Sequence, residues 1–182
     1  MKYPKSRERG FTLVEMLVVV AILFIAVMLS APYLSKQIER SKIVGTANQV
    51  AGLMRQARLH AIKMSSEAGC VAVRNNAVEA FSSTDNNCAT TTKVLGQVIL
   101  PKSMTATVTG FTPSSVAVFH SDGSAEKTGS VDLGVPEMGG GLHCMRVNLE
   151  PAATARVQVQ KKNTTNVWGG PPWNWTPVGS CP

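Results

Sequence analysis

The spacing of apolar and polar residues divides the 182-residue chain into three stretches. From Phe11 to Ala31 nearly every residue is apolar, and Glu15 is the only ionisable side chain. About twenty such residues predict a helix long enough to cross a hydrocarbon core of roughly 30 Å. Polar residues return after Pro32, while Leu34, Ile38, Ala47, Val50, Met54, Ala57, Ala61 and Ala68 recur mostly at three- and four-residue steps, apart from the stretch around Ser41. That stripe predicts an amphipathic continuation of the same helix to about Ala68, with Lys36, Arg40, Arg55 and Lys63 mostly on other faces. Pro32 can kink this helix, and Gly45 and Gly52 can loosen it.

After Gly69 the period changes to two. Cys70–Arg74 and Ala77–Phe81, joined by Asn75-Asn76, predict a hairpin. Further strands are expected at Lys93–Leu100, Met104–Thr109, Ser115–His120, Gly129–Leu133, His143–Leu149 and Thr154–Gln160. Turns are signalled at Pro101-Lys102-Ser103, Ser121-Asp122-Gly123, Gly139-Gly140-Gly141 and Glu150-Pro151. One long helix followed by short strands predicts an α+β protein: an N-terminal helix, its first half membrane-spanning, packed on an antiparallel two-sheet β-sandwich head.

A carboxylate in the middle of a membrane helix costs on the order of 2.5–3.5 kcal/mol, so Glu15, four residues inside the apolar block, calls for a positive partner. The block is preceded by a short basic leader and opens as Gly10-Phe11-Thr12-Leu13-Val14-Glu15. That hexapeptide, the leader and Pro32 together resemble the N-terminus of type IV pilins and type II secretion pseudopilins. The resemblance implies cleavage after Gly10 by a prepilin peptidase and N-methylation of Phe11. It also implies an assembly role for Glu15, whose carboxylate neutralises the Phe11 amine of a neighbouring subunit. An ordinary secretory signal would have a shorter apolar block with small residues at a cleavage site after it. Ser30-Ala31 imitates such a site weakly, and a glutamate within the block does not belong there.

On this reading residues 1–10 are the leader, 11–32 the transmembrane assembly helix, 33–68 its amphipathic continuation and 69–182 the β-rich head. Without Lys2, Lys5, Arg7, Glu8 and Arg9, the 18 basic and 11 acidic residues become 14 and 10, and the net charge falls from +7 to +4. Basic residues in the leader orient it toward the cytoplasm, which places the head outside the inner membrane. The remaining charge is a weak argument for nucleic acid.

Cys70, Cys88, Cys144 and Cys181 form no CxxC, and no histidine stands at a ligand-like spacing. An oxidising location favours two disulfides over a metal site. Three pairings exist; Cys70–Cys88 with Cys144–Cys181 is favoured because each bridge then closes a local loop. The same bracketing resembles minor pilins of the FimU type.

The order of Arg55–Ile62, Val98–Pro101, Val118–Ser124, Arg146-Val147-Asn148 and Ala155-Arg156-Val157 is similar to the GspH/FimT/FimU branch. The resemblance implies a minor type IV pilin that primes or caps a pilus, at its tip, for twitching motility, adhesion or DNA uptake. Otherwise it implies the H-type minor pseudopilin of a type II secretion system. Implied partners are other minor and major pilins or pseudopilins, prepilin peptidase and the inner membrane.

Some FimT-like relatives bind DNA through a C-terminal Gly-Arg-x-Arg motif. Here the matching place reads Ala155-Arg156-Val157-Gln158, so only one arginine of the pair is kept, which disfavours DNA capture; Lys161 and Lys162 follow as candidate phosphate contacts. The tail gathers Trp168, Trp173 and Trp175 around Gly169-Gly170-Pro171-Pro172. Those tryptophans either complete the sandwich core or offer an aromatic surface to a neighbouring subunit. His60, His120 and His143 are scattered with no Ser/His/Asp or Cys/His arrangement. Asp122-Gly123 is a turn signal rather than a nucleophile or calcium site. No enzyme, cofactor or metal is expected.

Overall fold

A computed structural model describes residues 11–111, 115–136 and 142–161, without the side chains of 30–33, 35, 36 and 142. Helix α1 runs Leu13–Lys63. The chain falls into two compact units, one ending at Ile38 and one beginning at Glu39. In the first unit the large apolar residues from Leu13 to Leu29 are exposed on every side of the helix. Among the described residues no helix is long and apolar enough to cross a membrane. The side chains of Ser30 to Tyr33, Ser35 and Lys36 are outside the description.

The second unit begins with the amphipathic half of α1. Ile43, Ala47, Val50, Met54, Ala57 and Ala61 are buried, close to the predicted stripe. Leu34 and Ile38, predicted to belong to it, are exposed and fall in the first unit. The helix also stops at Lys63 rather than near Ala68. The Met64 and Glu67 amides close a turn onto the His60 and Met64 carbonyls, and Glu67 Oε2 lies 3.1 Å from His60 Nε2. Ala68 then enters the first strand opposite Ser83.

Eight strands follow: β1 (Ala68–Arg74), β2 (Ala77–Ser83), β3 (Lys93–Ile99), β4 (Thr105–Thr109), β5 (Val116–Phe119), β6 (Gly129–Pro136), β7 (Leu142–Leu149) and β8 (Val157–Lys161). They make two antiparallel four-stranded sheets, ordered β3-β2-β1-β5 and β4-β6-β7-β8. The β1–β2 hairpin turns through Asn75 and Asn76, at φ 46° and 60°. Paired positive φ values give the two-residue turn whose twist suits a hairpin, and asparagine tolerates them.

The main core joins α1 to Val71, Val78, Ala80, Ala117 and Phe119 of the first sheet and to Val131, Leu133, Val135, Met145, Val147 and Leu149 of the second. Packing is closest where β1 crosses the helix: a Cβ on Gly69 would collide with the Ala57 carbonyl oxygen. Glycine in a strand marks such an approach of two backbones.

The first sheet is apolar on its other face as well. Ala68, Cys70, Ala72, Phe81, Cys88 and Val118 form a second buried cluster there. Cys70 and Cys88 are bridged, which holds the loop after β2 over this face. The loop is also tied by Asp85, whose carbonyl accepts from Cys88 N at 3.0 Å and whose Oδ1 accepts from Asn87 N at 3.1 Å. Burial on both faces explains why β1 is buried almost throughout instead of alternating.

Candidate assembly site

The helix N-terminus is built by Thr12 and Glu15. The Thr12 hydroxyl accepts a hydrogen bond from the Glu15 amide at 3.3 Å, and the Thr12 carbonyl accepts from Met16 N at 3.3 Å. Thr12 is therefore the N-cap and Glu15 stands three residues inside it, the order of a capping box. The sequence reading missed this role of Thr12, although Thr-x-x-Glu signals it. A carboxylate in the first helical turn is favoured by the helix dipole by about 0.3–1 kcal/mol. Phe11 and Glu15 are both exposed. Around them stand fourteen exposed large apolar residues from Leu13 to Leu29. Leaving such side chains in water forfeits about 1.5–3 kcal/mol each. Such a surface favours an apolar environment, where a carboxylate is costly unless it is paired.

The other predicted site residues are spread through the head. Cys144 is buried and disulfide-bonded. Its expected partner Cys181 lies outside the described residues, as do Gly10, Lys162, Trp168, Trp173 and Trp175. Pro32 lies within α1, its side chain outside the description. Arg156 is exposed on the connection between β7 and β8.

Lys161 is only 6 % exposed, and burial followed by the charge of Arg40 pulls its pKa below the ordinary lysine value. The ammonium so placed is shielded from solvent, which speaks against the expected phosphate contact at that residue.

Asp122 is the turn residue its Gly neighbour implied. Its Oδ1 accepts from the Ser124 hydroxyl at 2.6 Å and the Ser124 amide at 2.8 Å. These donors, the hydroxyl foremost, hold its carboxyl below the ordinary aspartate range. Gly123 follows at φ +80°.

The strongest polar contact in the head was not anticipated. Asp132 on β6 faces Arg146 on β7, with Arg146 Nε donating to Oδ1 at 2.6 Å and Nη2 to Oδ2 at 2.8 Å. The Thr109 hydroxyl donates to Oδ2 at 3.1 Å. Asp132 alternates with Val131 and Leu133, so period two puts it on the face away from the main core. Its partner depends on the register of two distant segments.

A helix whose second half packs on two antiparallel sheets, and whose apolar first half opens on Thr12 and Glu15, has the architecture of a pilin-like filament subunit. Residues 46–161 match the family model described as type II transport protein GspH, and residues 5–31 match the prokaryotic N-terminal methylation motif. The first match covers well over half of the chain, and the protein belongs to the GspH family, within the type IV pilin and pseudopilin superfamily. It is a minor pilin or pseudopilin, a membrane-anchored structural subunit with other such subunits as its assembly partners. No curated protein and no solved structure matches the chain.

Proposed function

We propose that the chain is a minor type IV pilin that primes or caps pilus assembly. Residues 11–32 hold it in the inner membrane with the head in the periplasm. Prepilin peptidase cuts between Gly10 and Phe11, the new amine is methylated, and Glu15 of one subunit meets the Phe11 amine of the next. The pairing relieves the cost of a carboxylate in an apolar medium and selects neighbours in register. The observation that carries this reading is the exposed Glu15 carboxylate at a capped helix start, set among exposed apolar side chains.

The test is incorporation into sheared filaments. Glu15→Val should leave a folded, membrane-held protein that no longer co-purifies with partner subunits, while Gly10→Asp should leave an uncut precursor. Normal incorporation of Glu15→Val would refute the mechanism.

The H-type minor pseudopilin of a type II secretion system is the second reading, favoured by the description of the matched family. Deleting the gene separates the two: lost surface pili with normal secretion favours the pilus, and the reverse favours the secretion system. Among the described residues, DNA capture by a competence subunit has Arg156 in its support, with Gln158 in place of the second arginine and Lys161 buried; Lys162 lies outside them.

A further inference from the structure

Three guanidinium groups line one surface cavity in the head with no acid among the lining residues. Arg55 and Arg58 are one turn apart on α1 and Arg156 comes from the β7–β8 connection. With Thr154, Ala155 and Val157 they bound a space of about 540 Å³. Two of the three are well positioned. Arg58 Nε donates to the Gly123 carbonyl at 2.8 Å. Arg156 follows Ala155, which is buried at φ 44° with its amide held by the Pro151 carbonyl at 2.9 Å. Arg55 and Arg156 are exposed and have no ion-pair partner among the described residues.

Converging like charges raise the free energy of the empty site, and an entering anion lowers it. Guanidinium forks match a carboxylate in shape and bind it through paired hydrogen bonds. Three guanidinium groups in one cavity suit a compact anion, whereas a phosphodiester backbone needs a longer basic track. The acids nearest in sequence are engaged elsewhere: Asp122 Oδ1 accepts from Ser124, and Glu150 Oε2 accepts from Asn148 Nδ2 at 2.9 Å. Among the described residues, the three arginines are the only charged side chains lining the cavity.

We propose that the Arg55–Arg58–Arg156 cavity is a carboxylate socket, filled in the assembled filament by an aspartate or glutamate side chain of a neighbouring subunit. The occupant rests on the assembly reading; the chemistry of the socket does not.

The test uses the full chain in detergent micelles, titrated with a capped triglutamate peptide and separately with a short DNA duplex. Triglutamate should bind saturably, triglutamine should not, and Arg55→Gln/Arg156→Gln should weaken binding at least tenfold with an unchanged melting curve. Arg58 is left intact because it also supports the Gly123 turn. In cells, Arg55→Glu/Arg156→Glu should cut recovery in filaments severalfold, and Arg55→Lys/Arg156→Lys should restore part of it. No saturable peptide binding, equal affinity in the glutamine variant, tighter binding of duplex than of peptide, or full incorporation of the charge-reversed variant would each overturn the proposal. Absent peptide binding with Glu15-dependent incorporation intact would sink the socket and spare the assembly reading.

Discussion

Replacing Arg146 with methionine should be among the most damaging single changes in the head, and a second substitution should undo most of the damage. The Asp132 side chain is fully shielded from solvent, whereas Arg146 retains 22 % of its side-chain surface. Arg146→Met keeps the apolar stem and removes both charged donors, so among the described residues the buried carboxylate is left with the Thr109 hydroxyl. Removing one partner of a buried pair typically costs about 3–5 kcal/mol, because the stranded charge has lost water and gained nothing in return. At about 2–4 °C per kcal/mol for a domain of this size, the melting midpoint should fall by about 6–20 °C. Asp132→Leu combined with Arg146→Met removes the charge together with its partner. Apolar replacement of a buried pair is often neutral or better, so the double variant should recover to within about 1–2 kcal/mol of wild type. Thr109 is exposed and finds water in place of the carboxylate. Thermal melts of the full chain in detergent, arranged as a double-mutant cycle, measure both effects. A double variant no more stable than Arg146→Met would refute the reasoning.

Gly69→Ala should destabilise the head by about 1–3 kcal/mol, since its Cβ meets the Ala57 backbone and cannot rotate away. Gly45→Ala, in an exposed helical position with nothing within 4 Å of the new Cβ, should stabilise it by about 0.5–1 kcal/mol; equal melting midpoints for the two would contradict the packing described. Breaking the Cys70–Cys88 bridge, which spans 18 residues, should cost about 3 kcal/mol by chain entropy. A reductant should therefore lower the midpoint for wild type and leave a Cys70→Ala/Cys88→Ala variant unmoved on that account. The depressed pKa of Asp122 means that its ionised form is favoured by folding. Its contribution is present above the ordinary aspartate value of about 3.9 and is lost as pH falls through the lower folded value. Asp122→Asn should therefore flatten the acid limb of the stability profile, and an unchanged limb would count against the Ser124 contacts.

The parts of this fold that were legible in the sequence are those set by local rules. Asn75-Asn76 between two apolar runs specifies a two-residue turn, and the φ values at both residues show why asparagine serves there. The Cys70–Cys88 bridge was readable because it closes a local loop. Ala68 was misplaced because alanine fits a helical stripe and a buried strand equally well; its register with Ser83 decides the matter. The depth of the first sheet was also hidden. Cys70 and Ala72 alternate with Val71 and Val73 as if one side were solvated, but the looped segment after β2 buries that side while the main core buries the other. The Asp132–Arg146 pair and the three-arginine cavity were beyond reach for a different reason. Each joins segments whose proximity exists only after the sheets have paired and the helix has docked.

The distribution of side-chain size along α1 explains why bridges matter to a protein that is 44 % hydrophobic. Many of its bulkiest apolar residues are concentrated between Leu13 and Leu29, in the first unit, where they are exposed. The helical face that does enter the core is rich in alanine: Ala47, Ala51, Ala57 and Ala61 are all fully buried. Small side chains allow the backbone approach at Gly69, and that approach fixes how β1 crosses the helix. They also remove less apolar area from water per residue, and stabilisation scales at about 25 cal/mol per Å². The head therefore gains positional definition from its helix at the expense of burial energy. Constraint of the unfolded chain by Cys70–Cys88 offsets part of that deficit, which is why the reductant test bears on the architecture of the whole head as well as on one loop.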